Sequence, residues 1–342
     1  MSDDIAPGLA ALRSEMARQY ADARASFDAA LADARPIAAR IAETGRVLML
    51  GMGASHWANR MVAPSYRALG IRAYAEVLSE HMRGPLPPGE RVTIITSQSG
   101  RSGEISAYFG KPHDRRDHFG LTLSPDSLLA STVPVLVGAG EPERAYAATR
   151  SIIISLALHA AILRHLGHDD VAFLDVLDRG DPTGGSAPEE AVAPLAECDT
   201  LVLSSRGQLH GALEAAALTY MELARTPAIA LEIGQLLHGP LEALSPRVAL
   251  VLARPLGDDA RGITRLAEAA MSWGLRPVVF DIGKQRRLQG ATRIPLPARD
   301  ALAGVAELLP AVQSLAIAAA ARRVADFGQP RRSSKVTDGE AS

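Results

Sequence analysis

The sequence predicts an α/β protein of two tandem domains, each a mostly parallel five-stranded sheet flanked by helices in three layers. Three observations lead there. Ten short β-rich runs are mostly continuous in apolar character rather than alternating, as expected of strands covered by helices on both faces. Longer stretches with helical spacing fill the gaps between them, which is the pattern of βαβ units. The 342-residue length is enough for two ordinary cores.

Taken in order, residues 8–32 place Leu9, Leu12, Met16, Tyr20 and Phe27 near helical spacing, and Asp33-Ala34-Arg35-Pro36 punctuates the run. An N-terminal helix is therefore expected within 1–33. The first domain, 34–178, has strands over 46–50, 72–77, 91–96, 119–123 and 133–137, with helices near 56–69, 102–110, 126–130 and 145–166. Residues 178–190, DRGDPTGGSAPEE, mix Gly, Pro and acids without apolar periodicity and predict a linker over 179–190. The second domain, 191–330, has strands over 200–204, 228–232, 248–253, 277–281 and 293–297, with helices near 209–225, 239–243, 258–273 and 301–325. It repeats the first in architecture, down to a second strand ending at or near an acid, Glu76 or Glu232. A charged tail, 331–342, follows.

Composition narrows the function. A formal charge of −2 with no basic run argues against nucleic acid as a partner. The single cysteine, Cys198, forms neither an internal disulfide nor a thiolate cluster, so a cytoplasmic location is expected. The acidic N-terminus has no apolar signal region. The apolar stretch 151–163, broken by Ser155 and His159, falls short of the roughly 18 residues a membrane span needs. A soluble protein with no membrane partner is expected. His165-Leu166-Gly167-His168-Asp169-Asp170 resembles a metal cluster but reads better as a polar helix end, and no metal is assigned.

The most informative segment is Thr96-Ser97-Gln98-Ser99-Gly100-Arg101-Ser102-Gly103-Glu104, which leaves a buried strand and opens a helix. Ligands of such sheets bind outside the carboxyl ends of the strands, where a helix start offers amide donors and a positive dipole end. Three hydroxyls, a glutamine and two glycines suit a phosphate; an ordinary Ser-capped turn is the plainer reading. No Gly-Lys-Ser/Thr follows, so this is not a nucleoside-triphosphate loop. Upstream, Gly51-Met52-Gly53-Ala54-Ser55-His56 partly mimics a dinucleotide fingerprint, but His56 occupies the third glycine position. No cofactor is expected, and Ser55 is read as a second wall of the phosphate pocket.

Two groups in the second domain could move protons. Glu214 and Glu222 lie eight residues apart on a largely apolar helix, about 80° apart around its axis. A carboxylate there suits a general base, or is a surface group at the helix end near Arg225. His238, in His238-Gly239-Pro240, sits on a loop after a strand, as a structural residue or as a proton shuttle.

These residues carry a likeness. From about Arg46 to Thr337 the chain resembles double sugar-isomerase (SIS) domain proteins, specifically the isomerase half of glucosamine-6-phosphate synthase, glucosamine-6-phosphate deaminases and fructosamine-phosphate deglycases. Its most specific elements are Ser97-Gln98-Ser99-Gly100-Arg101-Ser102 and His238-Gly239-Pro240; a third pattern is recognisable from Ala139 to Arg150, and the tail ends in Lys335. The resemblance implies two tandem SIS domains acting on a 6-phosphosugar. Ser55, Ser97, Gln98, Ser99 and Ser102 would bind the phosphate, and Glu222 would shuttle a proton between C1 and C2. His238 would open the ring from the partner subunit of a homodimer, and Lys335 would form a Schiff base with the open ketose. The chain departs from the pattern at Thr219, Gln235 and Ala215, where the family carries a lysine and two acids. The sequence begins at once with the isomerase region and lacks an N-terminal nucleophilic cysteine, so glutaminase activity is not expected. The expected activity is phosphosugar isomerase or deaminase; a fructosamine-6-phosphate deglycase and a non-catalytic phosphosugar sensor are the alternatives.

Overall fold

The computed structural model describes residues 7–112, 114–181 and 186–336. The six N-terminal residues, linker positions 182–185 and the tail beyond Val336 lie outside the described residues. By its contacts the chain divides into two compact units: Glu15–Gly180 with the tail from Pro330, and Asp181–Gln329 with the residues before Glu15.

The first unit takes in most of helix α1 (Pro7–Thr44), then β1 (Arg46–Gly51), α2 (Gly53–Ala68), β2 (Arg72–Val77), α3 (Leu78–Arg83), β3 (Val92–Thr96), α4 (Gly103–Phe109), β4 (His118–Thr122), α5 (Leu128–Thr132), β5 (Val135–Val137), α6 (Arg150–His165) and α7 (Val171–Arg179). Its strands run β2-β1-β3-β4-β5, all parallel. β3 is buried throughout and β1 in all but its first residue, because helices cover both faces. Leu48, Leu50, Ile95, Ile105 and Leu129 form the apolar floor beneath the β3–α4 turn.

α1 corrects one expectation. It runs through Pro36 to Thr44 instead of closing at residue 33. A mid-helix proline costs about 3 kcal/mol. Ala34, Ile37, Ala38 and Ile41 are all buried beyond it, and their packing outweighs that cost.

The second unit contains α8 (Glu189–Glu197), β6 (Thr200–Ser205), α9 (Gly207–Ala224), β7 (Ala228–Glu232), α10 (Ile233–Leu237), β8 (Val248–Arg254), α11 (Ala260–Ser272), β9 (Val278–Ile282), β10 (Thr292–Leu296) and α12 (Ala301–Arg323). Its sheet, β10-β9-β8-β6-β7, is also wholly parallel and has the same order of connection as the first. α8 begins inside the stretch read as linker; Pro188 at its N-cap and Glu189 and Glu190 in its first turn favour a helix start there. The helix expected near 239–243 is a short 3₁₀ turn, Pro240–Ala243, and it is preceded by α10, which the sequence does not predict.

Among the described residues α12, rather than the 151–163 stretch, is the helix long and apolar enough, by length and composition, to cross a membrane. Most of it is buried inside the protein, and it packs on α9 and α8, as the core helix of a domain does.

Candidate active site

In both sheets the strand order reverses beside the first strand, the position at which ligands of doubly wound sheets bind. In the first unit, β1 and β3 are parallel neighbours with Gly51 opposite Thr96, so the β1–α2 and β3–α4 turns leave the sheet side by side at the same level. Ser55 lies in the first turn of α2, and Ser97, Gln98, Ser99 and Ser102 line the second turn. The structure thus brings the five predicted phosphate-binding residues to one end of one sheet.

The β3–α4 turn holds its shape through its own side chains. Ser97 Oγ accepts from the Gly100 amide at 3.0 Å, and Ser99 Oγ accepts from the Arg101 amide at 3.3 Å. The Gln98 carbonyl accepts from Leu123 N at 3.1 Å and from Thr122 Oγ1 at 3.2 Å, tying the turn to β4. Ser102 occupies the N-cap of α4 without a side-chain cap bond. Among the described residues the Ser55 and Ser102 hydroxyls and the Gln98 side-chain amide have no hydrogen-bond partner, which leaves them as donors for an anion.

Gly100 is required twice over. Its φ is 59°, and an added Cβ would lie 2.3 Å from Ser127 Oγ. Gly100→Ala is expected to cost about 1–2 kcal/mol of backbone strain and about 1–3 kcal/mol of overpacking. Urea titration should show that loss, and isothermal titration should show weaker binding of inorganic phosphate.

Behind the turn, a buried polar chain joins the sheet to two helices. Thr96 Oγ1 donates to Asn59 Oδ1 at 2.7 Å. His159 Nε2–H donates to the same oxygen at 3.2 Å, so Tyr66 OH donates to His159 Nδ1 at 3.1 Å. Burial pushes the His159 imidazole down to about 3 and the Tyr66 phenol up, so His159 is neutral in the fold. The unfolded chain, with a histidine near the ordinary 6.5, takes up this proton first as pH falls. The contribution is therefore whole above about pH 6.5 and is lost toward pH 3, by at most about 1.4 kcal/mol per pH unit. Urea midpoints for His159→Gln should show a shallower acid limb over that window.

Lys335 also belongs to the first unit. Its Nζ donates to Glu143 Oε2 and to the Tyr146 carbonyl, each at 3.3 Å. Spacing alone does not separate Glu141 from Glu143 in the Ala139 to Arg150 pattern; the structure does. Glu141 is exposed and bound to Arg18, which with the backbone holds it down at about 2, whereas Glu143 is buried.

The two proton-transfer candidates belong to the second unit. Glu222 is half-buried, not buried, near the carboxyl end of α9. Arg225 is committed elsewhere, to Asp326 Oδ1 at 2.7 Å and the Gln329 carbonyl at 3.0 Å. Glu214 pairs with His210 at 3.4 Å. His238 is exposed and follows α10, a helix set by Glu232, whose carboxylate caps the Gly234 and Gln235 amides. Thr219 is buried and donates to the Ala215 carbonyl at 3.1 Å.

One cavity, about 900 Å³ and lined in part by Arg91, Tyr108, Lys111 and His118, opens at the amino ends of β3 and β4, away from the serine turns. A smaller one of about 420 Å³, lined in part by His56, Glu76 and His81, adjoins the carboxyl end of β2 next to the β1–α2 turn. The sequence reading had assigned no part to His81, whose Nδ1 lies 2.8 Å from Glu76 Oε2. Among the described residues no group of three or more His, Cys, Asp and Glu side chains is placed to hold a metal. The serine turns, not the 900 Å³ cavity, stand at the carboxyl ends of the strands, where ligands of such sheets bind.

No protein-family model and no curated protein matches the sequence. Solved structures do. The chain is similar to the C-terminal domain of glucosamine-fructose-6-phosphate aminotransferase from Francisella tularensis, with a TM-score of 0.79 at 15% identity, over 92% of this chain and 96% of that one. The fold is shared. It is likewise similar to tagatose-6-phosphate ketose/aldose isomerase from Escherichia coli, with a TM-score of 0.79 at 19% identity, over 90% and 91% of the two chains. Glucosamine-6-phosphate deaminase from Thermotoga maritima matches with a TM-score of 0.69 at 20% identity, over 91% and 99%.

Proposed function

We propose that the chain is a double SIS-domain enzyme, a phosphosugar isomerase or deaminase acting on a 6-phosphorylated hexose or amino sugar. The observation that carries this reading is the meeting of two serine-bearing turns at the strand-order reversal, in a fold shared with phosphosugar enzymes. Ser55, Ser97, Gln98, Ser99 and Ser102 hold the phosphate, and the binding energy orients the sugar for reaction. A hydrogen beside a carbonyl is weakly acidic, and Glu222 removes it from one carbon and returns it to the next, through an enediol or enolamine. His238, contributed by the partner in a homodimer, opens the ring, and Lys335 forms a Schiff base with the ketose.

A deglycase acting on a 6-phosphofructosamine is the second reading, favoured by Thr219: the uncharged, buried hydroxyl leaves the position without the family's cation. Proton NMR of glucosamine 6-phosphate, fructose 6-phosphate and a 6-phosphofructosamine in heavy water tests both readings. Deuterium entering at C1 or C2 is expected, and amine release from the fructosamine alone selects the deglycase. Binding without any exchange sinks the enzyme and leaves a phosphosugar sensor.

A further inference from the structure

The tail from Pro330 packs within the first unit, and Lys335 meets one carboxylate there. That carboxylate, Glu143, is held before the lysine is considered. Its Oε1 accepts from the Thr149 amide at 2.9 Å and the Thr149 hydroxyl at 3.2 Å, and its Oε2 accepts from the Ser151 hydroxyl at 2.6 Å. The segment carrying it is clamped as well. Buried Arg150 donates to the Glu141 carbonyl at 2.5 Å and is anchored on α1 by Glu15 at 2.5 Å and Asp22 at 2.7 Å. Glu15 also accepts from the Arg144 amide at 3.0 Å.

The charges around Glu143 leave it one cation. Arg150 is taken up by Glu15 and Asp22, and Glu141 is paired with Arg18. Among the described residues the cationic partner of Glu143 is Lys335. Those three contacts, with a fourth from the Ser151 amide at 3.4 Å, fix the carboxylate without neutralising it, and a buried charge is costly until it is paired. A second tail contact, the hydrogen bond between Ser333 and Tyr146, lies on the same segment. That segment follows β5, so it stands at the same carboxyl end of the sheet as the serine turns.

The geometry points to Glu143 as the positioning residue for Lys335: a pre-set, buried anion that docks the tail and holds its amine at the carboxyl end of the first sheet before a sugar arrives. This rests on the reading of Lys335 as the Schiff-base amine. The competing role is structural, since Glu143 also accepts amides at the start of α6 and could serve only as its cap.

Hydrogen exchange of the tail amides, residues 331–336, in the full-length protein separates the two roles. Glu143→Gln and Lys335→Met are each expected to speed that exchange about tenfold or more, and Glu143→Asp to keep most of the protection. Unchanged tail exchange in a folded Glu143→Gln overturns the proposal and leaves a helix cap. If that variant does not fold, unchanged exchange in Lys335→Met overturns it equally. Borohydride trapping with fructose 6-phosphate supplies the second arm. An adduct on Lys335 is expected in the wild type, forming about tenfold more slowly in Glu143→Gln with the same half-saturating sugar concentration. No wild-type adduct on Lys335 defeats the Schiff-base reading instead, while tail docking is still decided by exchange.

Discussion

Glu222→Gln is expected to lower turnover by about 10²–10⁴-fold on whichever phosphosugar proves to be the substrate, with little change in its binding. The amide matches the carboxylate in shape but cannot take a proton. The contribution of a positioned base is realised only as the C–H bond breaks, so kcat should fall while phosphate-driven affinity persists. Steady-state kinetics beside deuterium exchange in heavy water would check this. Unchanged turnover on every phosphosugar tested would remove Glu222 from the mechanism. The change is not expected to unfold the protein, since Glu222 is only half-buried. Glu214→Gln, next to His210, serves as the comparison on the same helix. If only that variant lost exchange, the base would be Glu214.

The second large effect falls on stability. Arg254 and Asp281 are almost wholly buried, with Nε to Oδ1 at 2.6 Å and a second guanidinium nitrogen to Oδ2 at 2.8 Å. Arg293 adds a third bond to Asp281 at 2.6 Å. Asp281→Ala would strand the Arg254 charge inside the second unit, at a cost of about 3–5 kcal/mol. Asp258, exposed beside the same sheet end, should tolerate alanine to within about 0.5 kcal/mol. Replacing Arg254 and Asp281 together by Met and Leu should cost less than Asp281→Ala alone, because no fully buried charge is left unpaired; Arg293, which also loses Asp281, is part-exposed. Urea midpoints at constant slope provide the measurement, and equal losses in the single and double variants would contradict the argument.

How much of this was legible beforehand depends on whether the signal was local. The strands could be read because burial on both faces demands continuous apolar runs, as in Val92 to Thr96, whatever the neighbours are. The α1 boundary could not be read: Pro36 is a local stop signal, overruled by buried Ile37 and Ile41, whose packing partners are distant in sequence. α10 was missed because its start depends on the Glu232 side chain turning back to cap two amides, which spacing does not reveal.

The site divides in the same way. Serines and glycines placed after a strand mark a candidate anion-binding turn by their chemistry, and the sequence alone was enough to single out Ser97, Gln98, Ser99 and Ser102 as its members. The sequence also reads Ser55 as a second wall of the same pocket; the register that sets its turn beside theirs comes from β1 pairing with β3, a contact between strands more than forty residues apart. Choosing Glu143 over Glu141, and marking it as the partner of Lys335, required the tertiary structure. Sequence can state which groups carry charge or hydroxyls, because that is a property of each residue. Which of them are buried, paired and brought together is decided by packing across the fold, where an unpaired buried charge is costly and an exposed one costs little.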